Sequence, residues 1–297
     1  MLVTLDTNIL YQALLASASP FQLKEQSYMS RLIYLFWNAD QRRLRAIWRL
    51  LLFLLMAIGV ANLLVRLLHA TKNPLLEASL TNFFAALGFG LALIISARFF
   101  DHQSLNHYGL YFNRIWWIEL GLGFVFGCMI MAVVFGFQFL AGWVVVQDTI
   151  QTNITSAPFF LAFFGQLVRF FSGSFFEELF SRGYLLRMIA ETARGSGMHR
   201  VVAVLSAAVA TALLFGLLHI FNPGASLISV INLTLLGLLF ALPMIVTGRL
   251  ALSIGLHAGW NLFQNSVFGL PNSGKPGNTS LLVTQDIPLR SEFLSVG

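Results

Sequence analysis

The chain has 297 residues, 57% of them hydrophobic and 10% charged, with a mean hydropathy of +0.77. Soluble domains carry about 25% charged residues, so this composition excludes a water-soluble globular fold and indicates an integral membrane protein built as one membrane domain. The single cysteine, Cys128, excludes an internal disulfide and a cysteine-built metal site, and the net charge of +6 comes from arginines gathered in a few loops, as membrane topology requires, rather than from a nucleic-acid surface.

The N-terminus has a weak apolar stretch, Ile9–Leu15, with no basic segment before it, which is not the pattern of a signal peptide. "LDTNILYQALL" is similar to the opening of a nuclease domain that uses an early aspartate, here Asp6. That fold needs a long soluble α/β stretch, and the apolar spans begin near residue 50. Leu32–Trp37 has an aromatic and apolar face suited to the membrane surface.

About 20 apolar residues cross a bilayer. The expected spans are Leu50–Leu68, Leu80–Ala97, Trp116–Val146, a fourth from Pro158 into residues 174–182, Val201–Ile220, Leu227–Val246 and Leu250–Phe268. An eighth could lie in the long third run or near the N-terminus. The predicted fold class is all-α, a polytopic bundle of about seven to eight transmembrane helices. Its divisions are an N-terminal cytoplasmic or interfacial segment at 1–49, two helices at 50–100, a core at 101–270 and a flexible tail at 271–297. With the N-terminus inside, the inner segments hold 13 of the 18 Lys and Arg residues, a strong bias for a cytoplasmic N-terminus. Compactness suggests a bacterial inner membrane or an organellar one, and the oligomeric state is left open.

Charged groups inside a membrane are costly and face cavities or partners. Here they are Arg169, Glu177, Glu178, Arg182, His219 and His257, with Asn232 and Asn261 as uncharged companions. In a helix, Glu178 and Arg182 stand four apart and can pair. Glu177 lies a helical step round and is left to accept a proton from water. Phe215 and His219 share one helix face, as do His257 and Asn261. A glutamate with two histidines can hold zinc, so Zn2+ on Glu177, His219 and His257 is one reading. The other is metal-free, with glutamate and one histidine activating water while the second histidine and an amide stabilise the oxyanion. Either chemistry is attack of water on a carbonyl. HExxH is absent.

Glu177-Glu178-x-x-x-Arg182, then Phe215-x-x-x-His219, then His257-x-x-x-Asn261 resembles the three-motif signature of the CPBP intramembrane proteases, also called the CAAX-protease and bacteriocin-processing or Abi family. "DHQSLNHYGLYFNRIWW", Asp101–Trp117, is similar to the lead-in to that family's core, and the resemblance covers roughly residues 100–270. It implies endoproteolysis near or inside the bilayer. Eukaryotic members cut the C-terminal tripeptide from prenylated proteins, and bacterial members are linked to peptide maturation and immunity. On the same resemblance Glu177 is catalytic, His219 positions water, and His257 and Asn261 form the electrophilic side. Glu178 and Arg182 support them. The implied partners are a peptide or lipidated protein substrate and membrane lipids, with no nucleic acid. The family's metalloprotease label keeps zinc as a candidate cofactor. The alternatives are a catalytically silent scaffold or immunity factor and a proton-coupled carrier, the latter without the internal repeat that many carriers show.

One depth problem accompanies this drawing. At 1.5 Å per residue, His219 stands about 27 Å above the inner end of its helix and His257 about 10 Å above the inner end of its own. Convergence requires tilt, a broken fifth helix, or a fourth span that continues through Leu186.

Overall fold

A computed structural model describes residues 35–38 and 41–287. Asp6, Ile9–Leu15 and the start of Leu32–Trp37 lie outside the described residues. Contacts gather the chain into two compact units, Met1–Leu51 and Leu52–Gly297. In the first, β1 (Trp37–Asn38) pairs antiparallel with β2 (Arg43–Leu44). Phe36 stacks on Trp48 with ring centroids 4.5 Å apart, and the Trp48 indole donates to the Leu35 carbonyl at 2.8 Å.

Among the described residues six helices are long and apolar enough to cross a membrane: α1 (Ala46–His69), α2 (Pro74–Asp101), α3 (Arg114–Leu140), α4 (Phe159–Gly195), α5 (Arg200–Phe221) and α6 (Leu227–Thr247). The boundary between the two units falls inside α1. The seventh helix, α7, runs over Ala251–Leu262 and continues as a π-helical turn, Phe263–Val267. It occupies the expected seventh span but is shorter than a full crossing. The protein is therefore a helical membrane protein, and the described residues are 73% helix and form no sheet barrel. Its bilayer face is apolar, as Leu55, Leu63 and Leu67 on α1 show.

The long third run divides. Helix α3 stops at Leu140, and Gly142, at φ +70°, turns the chain into strand β3, Val144–Thr152. β-Branched residues there favour extended backbone. The partner strand is β4, Thr279–Asp286, in the segment expected as a flexible tail. The two pair antiparallel from Val144↔Asp286 to Thr152↔Thr279, with a bulge between Val146 and Asp148.

Close helix approaches depend on glycine. Gly123 and Gly127 on α3 face Gly255 and Gly259 on α7, and a Cβ on any of the four would strike the other helix's backbone. Without water to drive apolar association, such small-residue stripes let backbones pack in lipid. The start of α7 is fastened by Arg249, which pairs with Glu119 of α3 (Nε–Oε2 2.7 Å), and by the Leu250 amide, which donates to the Gly109 carbonyl at 3.0 Å. Between α2 and α3, Tyr108 donates to Asp101 at 2.7 Å; burial first, and then the adjacent carboxylate, push its phenol far above the usual range.

Candidate active site

Helix α4 sets the site. It is α-helical over Phe159–Glu178, π-helical over Leu179–Leu185 and α-helical again over Leu186–Gly195. π-Turns inside α-helices concentrate at functional sites, and this one begins directly after Glu178. The continuation to Gly195 also solves the depth problem. A Cβ on Gly183 would lie 3.0 Å from Leu250 Cδ1, so Gly183 and the start of α7 share a level. From Gly183 the chain descends twelve residues, about 18 Å, before α5 turns back. Helix α5 regains that level near Ala212, which with Arg182 Nη2 lies about 3 Å from a Cβ placed on Gly237. His219 is seven residues above Ala212 and His257 seven above Leu250, about 10 Å in each case. The two histidines thus reach one depth from helices that start at different ones.

Glu177, His219, His257, Asn261 and Phe215 all line one cavity of about 220 Å³. Glu178 and Arg182 stand behind it, both fully buried. Glu178 Oε1 accepts from Arg182 Nη1 at 2.9 Å and faces His257 Nδ1 at 2.9 Å. Arg182 Nη2 donates to the Gly237 carbonyl at 2.8 Å, and its guanidinium lies 4.8 Å from the centre of the Phe215 ring. A carboxylate opposite Nδ1 fixes the proton there and turns Nε2 to the cavity. Nε2 lies 3.7 Å from Glu177 Oε2. Phe240 stacks on the imidazole at 4.5 Å and Phe215 meets it edge-on at 6.0 Å, which holds the ring plane.

His219 Nδ1 donates to the Phe215 carbonyl, 2.6 Å away. A carbonyl only accepts, so His219 keeps its proton on Nδ1 and presents Nε2 as an acceptor. Asn261 Oδ1 accepts from Asn272 Nδ2 at 2.9 Å. That bond orients the Asn261 amide with its N–H groups free to donate. Asn272 was missed in the sequence: it sits in a Pro- and Gly-rich stretch beyond the last helix, where only its amide side chain could have drawn notice. Asn232, named with the polar companions, does not line this cavity.

Residues 157–263 match the family model of the Rce1-like type II CAAX prenyl endopeptidases. The Rce1-like segment spans α4 to α7 and contains all three motifs. The match is consistent with the CPBP resemblance drawn from the sequence. Helices α1 to α3, Asn272 and both strands of the β3–β4 ribbon lie outside it. No curated protein and no solved structure matches the chain.

Zinc needs three or four donors converging at about 2.0–2.2 Å. Among the described residues no group of three His, Cys, Asp or Glu side chains is so placed. Glu178 and the Phe215 carbonyl hold the Nδ1 atoms of His257 and His219, which leaves Nε2 as the nitrogen each ring offers to the cavity. With no such group among the described residues, Zn2+ enters no step of the reaction proposed for this chain.

Proposed function

We propose that the chain is an intramembrane endopeptidase that uses a glutamate-activated water on a peptide carbonyl of a membrane-embedded or lipidated substrate. The observation that carries this reading is the convergence of Glu177, His219, His257 and Asn261, from three separate helices, on one cavity. Glu177 is a third exposed while its neighbour Glu178 is fully buried, so only Glu177 meets substrate and water. A water held between Glu177 and His219 Nε2 gives its proton to Glu177, and the oxygen attacks the carbonyl carbon. Negative charge then develops on the carbonyl oxygen. Asn261 Nδ2 donates to it, and His257 Nε2 is a second donor when the ring carries both protons, a charge that Glu178 opposite Nδ1 balances. Collapse of the tetrahedral intermediate breaks the C–N bond, and Glu177 returns the proton to the leaving amine.

Phe171 and Phe175, on the other face of α4, border an apolar groove of about 440 Å³ between α2 and α3. Such a surface suits an acyl or isoprenoid tail, in keeping with a lipidated substrate.

Glu177→Gln tests the base. Cleavage of a quenched lipopeptide library by the purified protein in detergent is expected to fall by several powers of ten, with the thermal unfolding profile retained. Full activity in this variant would remove Glu177 from the reaction. Absence of cleavage by the wild-type protein across the library would favour the silent-scaffold alternative.

A further inference from the structure

The stretch that follows α7 is tied down at every step. The Asn272 amide donates to the Lys275 carbonyl at 2.9 Å, and the Lys275 amide returns the bond at 3.0 Å, which closes a short turn. Two buried side chains of the π-helical turn hold it. Gln264 Nε2 donates to the Pro271 carbonyl at 2.6 Å, while its Oε1 accepts from Trp260 Nε1 at 2.8 Å. Asn265 Nδ2 reaches the Leu270 and Lys275 carbonyls at 3.1 and 3.4 Å. The turn also rests on the loop between α5 and α6. Gly274, at φ +72°, lies so close that a Cβ there would strike the Pro223 carbonyl. Asn272, Ser273 and Lys275 form one wall of the cavity, and Asn222, beside Pro223, continues it. All of the turn lies beyond the Rce1-like match.

We infer that Asn272 is a positioning residue for the proposed reaction, and that it acts only while its turn is seated on Pro223. This deepens the protease reading above and rests on it. Two facing carboxamides can bond in either of two directions. With Asn272 Nδ2 donating to Asn261 Oδ1 at 2.9 Å, Asn261 keeps its own Nδ2 for the substrate oxyanion. The reverse direction would consume Asn261 Nδ2 and turn Oδ1, an acceptor, toward the developing negative charge. A donor lowers the barrier when it already faces the place where charge will form. Here the direction is set from outside α7, by a turn that Gln264, Asn265 and Pro223 keep in place. Leaving the Pro223 seat would carry Asn272 away and open the cavity wall in one motion, so the amide is aimed only while the site is closed.

Three variants test this in nanodiscs, on a peptide that the wild-type protein cleaves. Gly274→Ala unseats the turn without altering Asn261 or Asn272, and Asn272→Ala removes the donor. Each is expected to lower kcat by about a hundredfold, the lower end of what loss of one oxyanion donor costs. KM should stay within about twofold, because the contact forms in the transition state. Combined, the two should cost little more than either alone, since they break one device. Asn272→Asp keeps the size and inverts the chemistry. Its carboxylate can only accept, which draws Asn261 Nδ2 off the oxyanion, whereas its protonated form can donate again. The ratio of variant to wild-type kcat should therefore rise as pH falls from about 7 to about 4. A purely structural role for Asn272 predicts a flat ratio. That flat ratio, or kcat of the two alanine variants within about twofold of wild type, overturns the inference and leaves a protease. Wild-type protein that turns over no peptide removes the protease instead, and the seat is then read by labelling. Leu236→Cys places a thiol on the cavity wall, and a charged maleimide should reach it about tenfold faster once Gly274→Ala is added. Faster labelling without turnover keeps the seated wall and removes the reaction it was to serve; equal labelling removes the seat as well.

Discussion

Adjacent glutamates have been given opposite surroundings by a single helical step. Glu178 is enclosed with Arg182 and His257, while Glu177 faces the cavity. The i,i+4 spacing in the sequence made the Glu178–Arg182 pair legible, and the same step left Glu177 apart from it. Glu178→Gln should destabilise the protein by about 3–5 kcal/mol, because a fully buried guanidinium loses its counter-charge. Thermal unfolding in detergent reads this as a large drop in midpoint, and an unchanged midpoint would show that Arg182 is satisfied by the Gly237 carbonyl alone. Less legible was the second layer of support. Nothing in the local pattern around Pro271 announces that Asn272 turns the Asn261 amide, because that contact depends on how the chain folds back after α7. Arg169 was visible as a charge within a span, but its place on the cavity wall follows from a helical phase that was not extended upstream of Glu177.

The helices themselves were legible because crossing a bilayer demands length and apolarity, and both can be counted. Their ends were less so. The third run reads as one apolar stretch to Val146, yet Ala141 and Gly142 cap α3 and the valines that follow are extended. Strand β3 could not be recognised from periodicity, since its partner lies more than 120 residues later. The π-turn in α4 is likewise invisible to a pattern built on 3.6 residues. Packing between α3 and α7 offers a clean test of the glycine stripes. Gly259→Ala places a methyl against the Phe124 carbonyl and the Cys128 amide of α3, whereas a Cβ on Gly121 of the same helix α3 meets nothing within 4 Å. Overpacking costs about 1–3 kcal/mol. Gly259→Ala should therefore lower the unfolding midpoint and, by shifting the helix that carries His257 and Asn261, the cleavage rate. Gly121→Ala should change neither, and equal behaviour of the two would discount the close approach.

For the whole molecule, the arginine distribution and the fold lead to one expectation of sidedness. If the basic segments are cytoplasmic, the β3–β4 ribbon and the cavity mouth at Asn222 and Lys275 face the opposite side. Cys128 is buried and should resist labelling, so single cysteines can be added to the natural chain. In intact cells, a membrane-impermeant maleimide should label Thr149→Cys in β3 and spare Arg194→Cys at the end of α4, both of which are exposed positions. The reverse pattern would invert the drawing. The β3–β4 ribbon also has a consequence for how the protein comes into being. Chains emerge from the ribosome N-terminus first, so Glu177 and His219 are in place well before His257, Asn261 and Asn272 are synthesised. Asn272, whose side chain turns the Asn261 amide, follows later still, on the stretch that leads into β4. In the proposed reaction such an order leaves the oxyanion donors absent during insertion, when the chain's own unassembled helices are the nearest peptides to hand.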